Sequence, residues 1–113
     1  MNDCLFCKII KGEIPSTRVY ENDYVYAFLD IEPQAPFHAV VVPKIHIKSA
    51  NEINAENSLY IAKIFEAIAE IARKENLENG YRVVNNCGED GGQTVCHIHF
   101  HLLARRNLQW PPG

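Results

Sequence analysis

No basic run, no long apolar stretch and no low-complexity segment occurs in this chain. Each absence removes a class of function. A protein that grips a nucleic acid polymer displaces counterions with clustered Lys and Arg. Here the formal net charge is −3 and no basic stripe appears, so no nucleic acid polymer is expected as a partner. A single nucleotide stays admissible, because one small anion needs only a nest of backbone N–H groups and a few donors. A membrane-spanning helix takes about 18 or more consecutive apolar residues, and no such run is present, so no membrane is expected either. The opening Met1-Asn2-Asp3-Cys4 lacks the charged-then-apolar pattern of a secretory leader. The expected setting is the cytoplasm, where disulfides are rare. The four cysteines are therefore read as metal ligands, catalytic thiols or core residues. No repeat or linker divides the chain, and 113 residues with 47% hydrophobic content make one globular domain, residues 1–113.

What is present reads as five strands and two helices. Cys4 to Lys11 forms a short helix, with Asp3 as candidate N-cap and Gly12 as its stop. Arg18 to Glu21 and Tyr24 to Leu29 are β-prone runs flanking a turn at Asn22-Asp23. Pro33 and Pro36 make 30–37 a loop, and Ala39 to Val42 is a buried strand. Ile61, Ile64, Phe65, Ile68, Ile71 and Ala72 fall at the spacing of one buried face of a long helix, with Asn54 as candidate cap and Arg73 and Lys74 at its C-terminal end. Tyr81 to Asn86 and Val95 to Leu103 are the remaining strands, separated by the glycine-rich 88–92. Without a βαβ rhythm, the fold class is α+β, with a mostly antiparallel five-stranded sheet.

The most informative stretch is His97-Ile98-His99-Phe100-His101-Leu102-Leu103. Strand side chains alternate, so the three histidines share one face, about 7 Å apart, while Ile98, Phe100 and Leu102 turn to a core. A polar surface, a metal site and an imidazole nucleophile are the three readings of such a face. Gly91-Gly92-Gln93-Thr94 immediately precedes it. By itself that loop is a plain Gly-Gly turn. Beside three histidines it reads as a phosphate site, with backbone N–H groups, the Gln93 amide and the Thr94 hydroxyl as donors.

Cys4 and Cys7 lie three apart, on one side of a helical turn, so both sulfurs can reach one ion. Zinc then needs two further ligands, and His38, His46, His97, His99 and His101 are all candidates. A thioredoxin-like redox motif requires a preceding strand, for which no residues are available. Two unrelated core cysteines are the bland alternative. Cys87 and Cys96 read as small buried hydrophobes, with a thiol nucleophile as the weaker reading.

The histidine run, together with Phe6-Cys7-Lys8-Ile9-Ile10, Gly12-Glu13-Ile14-Pro15, Asp30-Ile31-Glu32-Pro33-Gln34-Ala35-Pro36, Val42-Pro43-Lys44, Asp90-Gly91-Gly92-Gln93 and the terminal Trp110-Pro111-Pro112-Gly113, resembles the histidine triad (HIT) family from end to end. Gly80-Tyr81-Arg82 and the terminal motif resemble its Hint branch, the purine nucleoside phosphoramidases. The resemblance implies a hydrolase acting on purine nucleoside monophosphates (AMP or GMP) and their conjugates. His99 is then the nucleophile that carries a nucleotidyl intermediate, flanked by His97 and His101 in the triad. It further implies nucleotide contacts from Phe6, Ile10, Asp30, Ile31, Asn86, Gly92, Gln93, Thr94, His99 and His101, with Cys7 also near the base edge. Bacterial-type members imply a structural zinc on Cys4, Cys7, His46 and His97, which leaves the His97 carbonyl to orient His99. His38 is implied near the catalytic strand. A homodimer is implied as well, with Trp110 reaching the neighbouring pocket. Cys96 stands where relatives often carry an aromatic, and Thr94 where serine is common. A dinucleoside polyphosphate hydrolase, a non-catalytic nucleotide-binding module and zinc-hydroxide hydrolysis are the rival functions.

Overall fold

The computed structural model describes residues 3–113. Met1 and Asn2, the first half of the stretch read for a leader, lie outside the described residues. Helix α1 spans Leu5–Ile10 and α2 spans Ser58–Lys74. The strands are β1 (Arg18–Glu21), β2 (Val25–Leu29), β3 (Phe37–Pro43), β4 (Tyr81–Val84) and β5 (Phe100–Ala104). They form one five-stranded sheet in the order β1-β2-β3-β5-β4, with every neighbouring pair antiparallel. The α+β reading with one long and one short helix stands.

The sheet has a thick side and a thin side. Residues of odd and even register separate cleanly, as the period of two requires. Val25 and Ala27 of β2, Ala39 and Val41 of β3, and Phe100 and Leu102 of β5 face α2 and form the main core with Ile64, Ala67, Ile68 and Ile71. Tyr26, Phe28, Val40 and Val42 face the other way and meet Phe6 and Ile9 of α1. Helix α1 is only six residues long, so it covers part of that second face. His97 and His99 are buried on that face, both edge-on to Phe6 of α1.

Local chemistry explains the boundaries. At the end of α1, Gly12 adopts φ +80° and donates to Ile9 O at 3.0 Å, while Glu13 N donates to Lys8 O at 2.9 Å. This left-handed closure favours glycine. In the first hairpin the Asn22 carboxamide oxygen accepts from Tyr24 N and Val25 N, at 2.8 and 2.9 Å, and so fixes the turn.

Several boundaries and caps differ from the sequence expectation. The N-cap of α1 is Cys4, whose sulfur accepts from Cys7 N at 3.4 Å, and Asp3 is not the cap. The N-cap of α2 is Asn57, interlocked with Asn54: each carboxamide oxygen accepts from the other residue's backbone N–H. Phe65 is 48% exposed, and its ring meets Phe100 edge-on instead of entering the core. The final strand begins at Phe100, five residues after the expected Val95. Ile98 N donates to Ile47 O, the His97 imidazole bonds Pro43 O, and the His99 carbonyl accepts from the Asn85 carboxamide at 2.9 Å. Groups that a ladder would use are thus taken elsewhere, and β4 ends at Val84 for the same reason.

Candidate active site

His99 is 4% exposed and lies edge-on to Phe6, with ring centroids 4.9 Å apart. Its Nδ1 is 2.8 Å from the His97 carbonyl oxygen. A carbonyl only accepts, so Nδ1 carries the proton and Nε2 keeps its lone pair. No buried side-chain nitrogen or oxygen among the described residues lacks a partner, and His99 lines a cavity of about 420 Å³. The unbonded Nε2 therefore reaches that cavity. Burial lowers the His99 pKa, opposed by the His97 carbonyl and by Asp30, so the ring is neutral at pH 7. The product is a neutral imidazole of fixed tautomer, with its basic nitrogen aimed at a cavity.

His101 is set up the opposite way. Gln34 N donates to His38 Nδ1 at 3.0 Å, which puts the His38 proton on Nε2. That proton faces His101 Nδ1 at 2.9 Å. His101 consequently carries its own proton on Nε2, on the cavity side. Burial, then His99 and His38, push His101 down to about 4, and burial also lowers His38. Asp30 completes the group: Oδ1 accepts from Glu32 N at 2.8 Å, while Oδ2 lies 3.5 Å from His38 Nε2. One imidazole thus offers a lone pair and its neighbour offers a hydrogen.

The cavity beside them has a mixed lining, with Phe6, Ile9, Ile14 and Phe28 as apolar residues and Asp30, Thr94, His99 and His101 as polar ones. Ile31 lines it while 96% exposed, an apolar side chain left at the mouth. Phe6, Asp30, Ile31, Thr94, His99 and His101 therefore meet around one space. Ile10, Asn86, Gly92 and Gln93 do not line it, and Ile9 takes the place expected for Ile10. Gly92 and Gln93 belong to a neighbouring groove with Cys87 and Cys96. The Gln93 side chain staples its own loop, accepting from Gly88 N and donating to Lys48 O and Val95 O. Gly91 is obligatory there, because a Cβ would sit 2.6 Å from Cys87 O. Sequence reasoning missed Asn85, which holds the His99 carbonyl. Its only local signal was its place at the end of a strand.

The second cluster joins distant parts of the chain. Ligand atoms of Cys4, Cys7, His46 and His97 all lie within 4.8 Å of one another. His97 Nδ1 is 3.4 Å from Cys4 Sγ and 3.6 Å from Cys7 Sγ, and His46 Nδ1 is 3.5 Å from Cys7 Sγ. Zinc bonds of about 2.3 Å to sulfur and about 2.0 Å to nitrogen, arranged tetrahedrally, place S and N about 3.5 Å apart. The His97 tautomer also suits a cation, since Nε2 donates to Pro43 O at 3.1 Å and leaves Nδ1 bare toward the sulfurs. Burial, then Cys4, raise the Cys7 thiol above its ordinary value, so adjacent thiolates there need a cation beside them. The donor set fits zinc. His38 and His101 stand with Asp30 instead, and His99 takes neither role.

The chain is similar to known proteins in sequence and in fold. A family model described as HIT domain matches residues 11–108. The purine nucleoside phosphoramidase of Escherichia coli is 45% identical, over 94% of this chain and 90% of its own length. A 14 kDa zinc-binding protein of Zea mays is 48% identical, over 96% of this chain and 87% of its own. The crystal structure of a HIT family hydrolase from Legionella pneumophila superposes with a TM-score of 0.95 at 49% identity, covering 98% of this chain and all of the other. A family match over most of the sequence, on a backbone this close to a solved member, means that the chain belongs to the HIT domain family.

Proposed function

We propose that this protein is a hydrolase of purine nucleoside 5′-phosphoramidates and related nucleoside monophosphate conjugates, acting through a nucleotidyl-histidine on His99. The observation that carries the reading is the His99 tautomer: Nδ1–H held by the His97 carbonyl, Nε2 bare in the cavity. A neutral imidazole so fixed is a nucleophile at pH 7 without needing a separate base. The Nε2 lone pair attacks the α-phosphorus as the P–N bond breaks, and the departing amine takes a proton from solvent water, which the attacking water of the second step returns. Water then attacks the same phosphorus, the P–Nε2 bond breaks, and the nucleoside monophosphate is released.

The surrounding residues divide the remaining work. His101 Nε2–H and the Thr94 hydroxyl donate to non-bridging oxygens as charge builds on them. Asp30 Oδ2 accepts from the ribose hydroxyls. The apolar lining, with Phe6 and Ile31, takes the purine face. Asn86 and the Gly92–Gln93 loop bound the sugar–phosphate side from outside the cavity, and Ile10 backs the base pocket from the second layer of α1. Cys4, Cys7, His46 and His97 hold a structural zinc, which when bound clamps α1 to the segment before β5. Four protein ligands would complete the coordination of such a structural zinc, and none of the steps above calls on it. The naming of the Escherichia coli and Zea mays relatives supports the phosphoramidase and zinc readings. The protein works as a cytoplasmic homodimer, with Trp110 of each tail close to the partner's pocket.

Single-turnover hydrolysis of a fluorogenic adenosine 5′-phosphoramidate tests the reading. Wild type releases the amine rapidly, and His99→Ala is slower by several orders of magnitude, as removal of a covalent nucleophile requires. Equal rates in both, with nucleotide still bound, would make the chain a binding module. Faster turnover of a diadenosine polyphosphate would reassign its substrate.

A further inference from the structure

The cavity wall contains one hydrogen bond that the reaction does not use. Ser16, on the loop between α1 and β1, lines the cavity beside Ile14 and Phe28. Its Oγ is 2.7 Å from the hydroxyl of Tyr26. Tyr26 is 8% exposed and belongs to the second core with Phe6 and Phe28. Its hydroxyl has no other hydrogen-bond partner among the described residues. Tyr26 lies on β2, which β3 separates from the β5 histidine. Two strand spacings, about 10 Å, therefore lie between these strands, a span of the order of a nucleoside.

We propose that the Ser16 hydroxyl, oriented by Tyr26, reads the polar edge of the base and favours 6-oxopurines (guanine, hypoxanthine) over adenine. This rests on the nucleotide-hydrolase reading above. The buried Tyr26 hydroxyl has no other acceptor for its proton among the described residues, so it donates and Ser16 Oγ accepts. That leaves the serine O–H as a free donor on the cavity side. Guanine presents two adjacent acceptors, O6 and N7, along one edge. Adenine presents N7 alone as acceptor, beside an N6 amino donor, so a protein O–H finds one acceptor on that edge where guanine offers two. The other side-chain donors lining the cavity are Thr94, His99 and His101, which the reaction engages at phosphorus, so Ser16 is the donor left for the base.

The test is steady-state hydrolysis of matched guanosine and adenosine 5′-phosphoramidates by the full chain. Wild type has the higher kcat/KM for guanosine. Ser16→Ala lowers that preference by about threefold to tenfold, the loss of one neutral hydrogen bond, and the change falls in KM for guanosine. Ser16→Thr restores it, since the hydroxyl remains. Tyr26→Phe lowers it as well, because the serine is no longer held. Ser16→Ala leaves the Tyr26 hydroxyl without its partner, so the variant's melting midpoint is read alongside to show that it is folded. A wild-type preference for adenosine, or a guanosine-to-adenosine ratio that Ser16→Ala leaves unmoved, would overturn the proposal while the hydrolase reading stood. Failure of wild type to turn over either substrate would instead remove the hydrolase reading and this proposal with it.

Discussion

Individual hydrogen bonds decide what each histidine can do. Four of the five imidazoles are placed by a partner that leaves one ring nitrogen for function. For His97 and His99 the partner is a backbone carbonyl, and for His38 it is a backbone N–H. His101 inherits its tautomer from His38. The same contacts set an acid limit. The folded-state pKa of His101 is pushed down to about 4 from the ordinary 6.5, chiefly by burial, and burial lowers His38 in the same direction. The unfolded chain therefore binds more protons between these values, and stability rises with pH across that window. The contribution is complete above about pH 6.5 and is lost as the pH falls toward about 4. Thermal melts across that range will show a midpoint that falls with acidification, and His101→Gln will reduce the slope because glutamine does not titrate. A midpoint equally steep in the variant would place the acid limit elsewhere.

The two helices are held by different forces at the scale of elements. Helix α2 is held by its apolar face: Ile64, Ile68 and Ile71 are each at most 1% exposed. Ile68→Ala removes buried methyl groups and leaves a cavity, and urea melts will show a loss of about 2–5 kcal/mol. Helix α1 has only Phe6 and Ile9 buried, too little apolar surface to hold six residues firmly. In the proposed function its anchorage is a zinc held by Cys4, Cys7, His46 and His97, whose ligand atoms lie together. Stripping metal with a chelator will accordingly speed amide hydrogen exchange in α1 more than in α2, and Cys7→Ser will do so without chelator. Uniform acceleration across both helices would contradict the assignment of the zinc to α1. The periodicity of α2 was readable because its signal repeats over 17 residues. Phe65 fits that same period yet stays half-exposed, since its neighbour Phe100 already fills the core beneath. The start of β5 was not readable, because the groups that interrupt its ladder come from Ile47, Pro43 and Asn85, remote in sequence.

For the whole molecule, β4 is an edge strand with β5 as its one neighbour in the sheet. Tyr81 at its start is 43% exposed, and Leu59 and Phe65 on α2 are 53% and 48% exposed. An open strand edge and exposed apolar side chains on α2 suit pairing with a second copy. Sedimentation will give twice the monomer mass, and Phe65→Glu will shift the equilibrium to monomer. A wild-type monomer at micromolar concentration would contradict the dimer.

The site was legible in part. Alternation placed His97, His99 and His101 on one face without any knowledge of the fold. Which histidines joined the cysteines was not legible from spacing, since Cys4 and His97 are 93 residues apart. Only the family resemblance picked out His46 and His97 from five candidates. Gln93 carries a donor suited to phosphate, but the loop uses that amide for its own closure. Ser16 and Tyr26 left no mark in the sequence, because their pairing depends on the path of the α1–β1 loop over β2.

The central claim is covalent catalysis by His99, and the stereochemistry at phosphorus tests it most directly. A P-chiral nucleoside 5′-phosphoramidothioate hydrolysed in heavy-oxygen water undergoes two in-line displacements if His99 is the nucleophile. The account predicts net retention of configuration. Net inversion would mean a single attack by water, and would contradict the nucleotidyl-histidine.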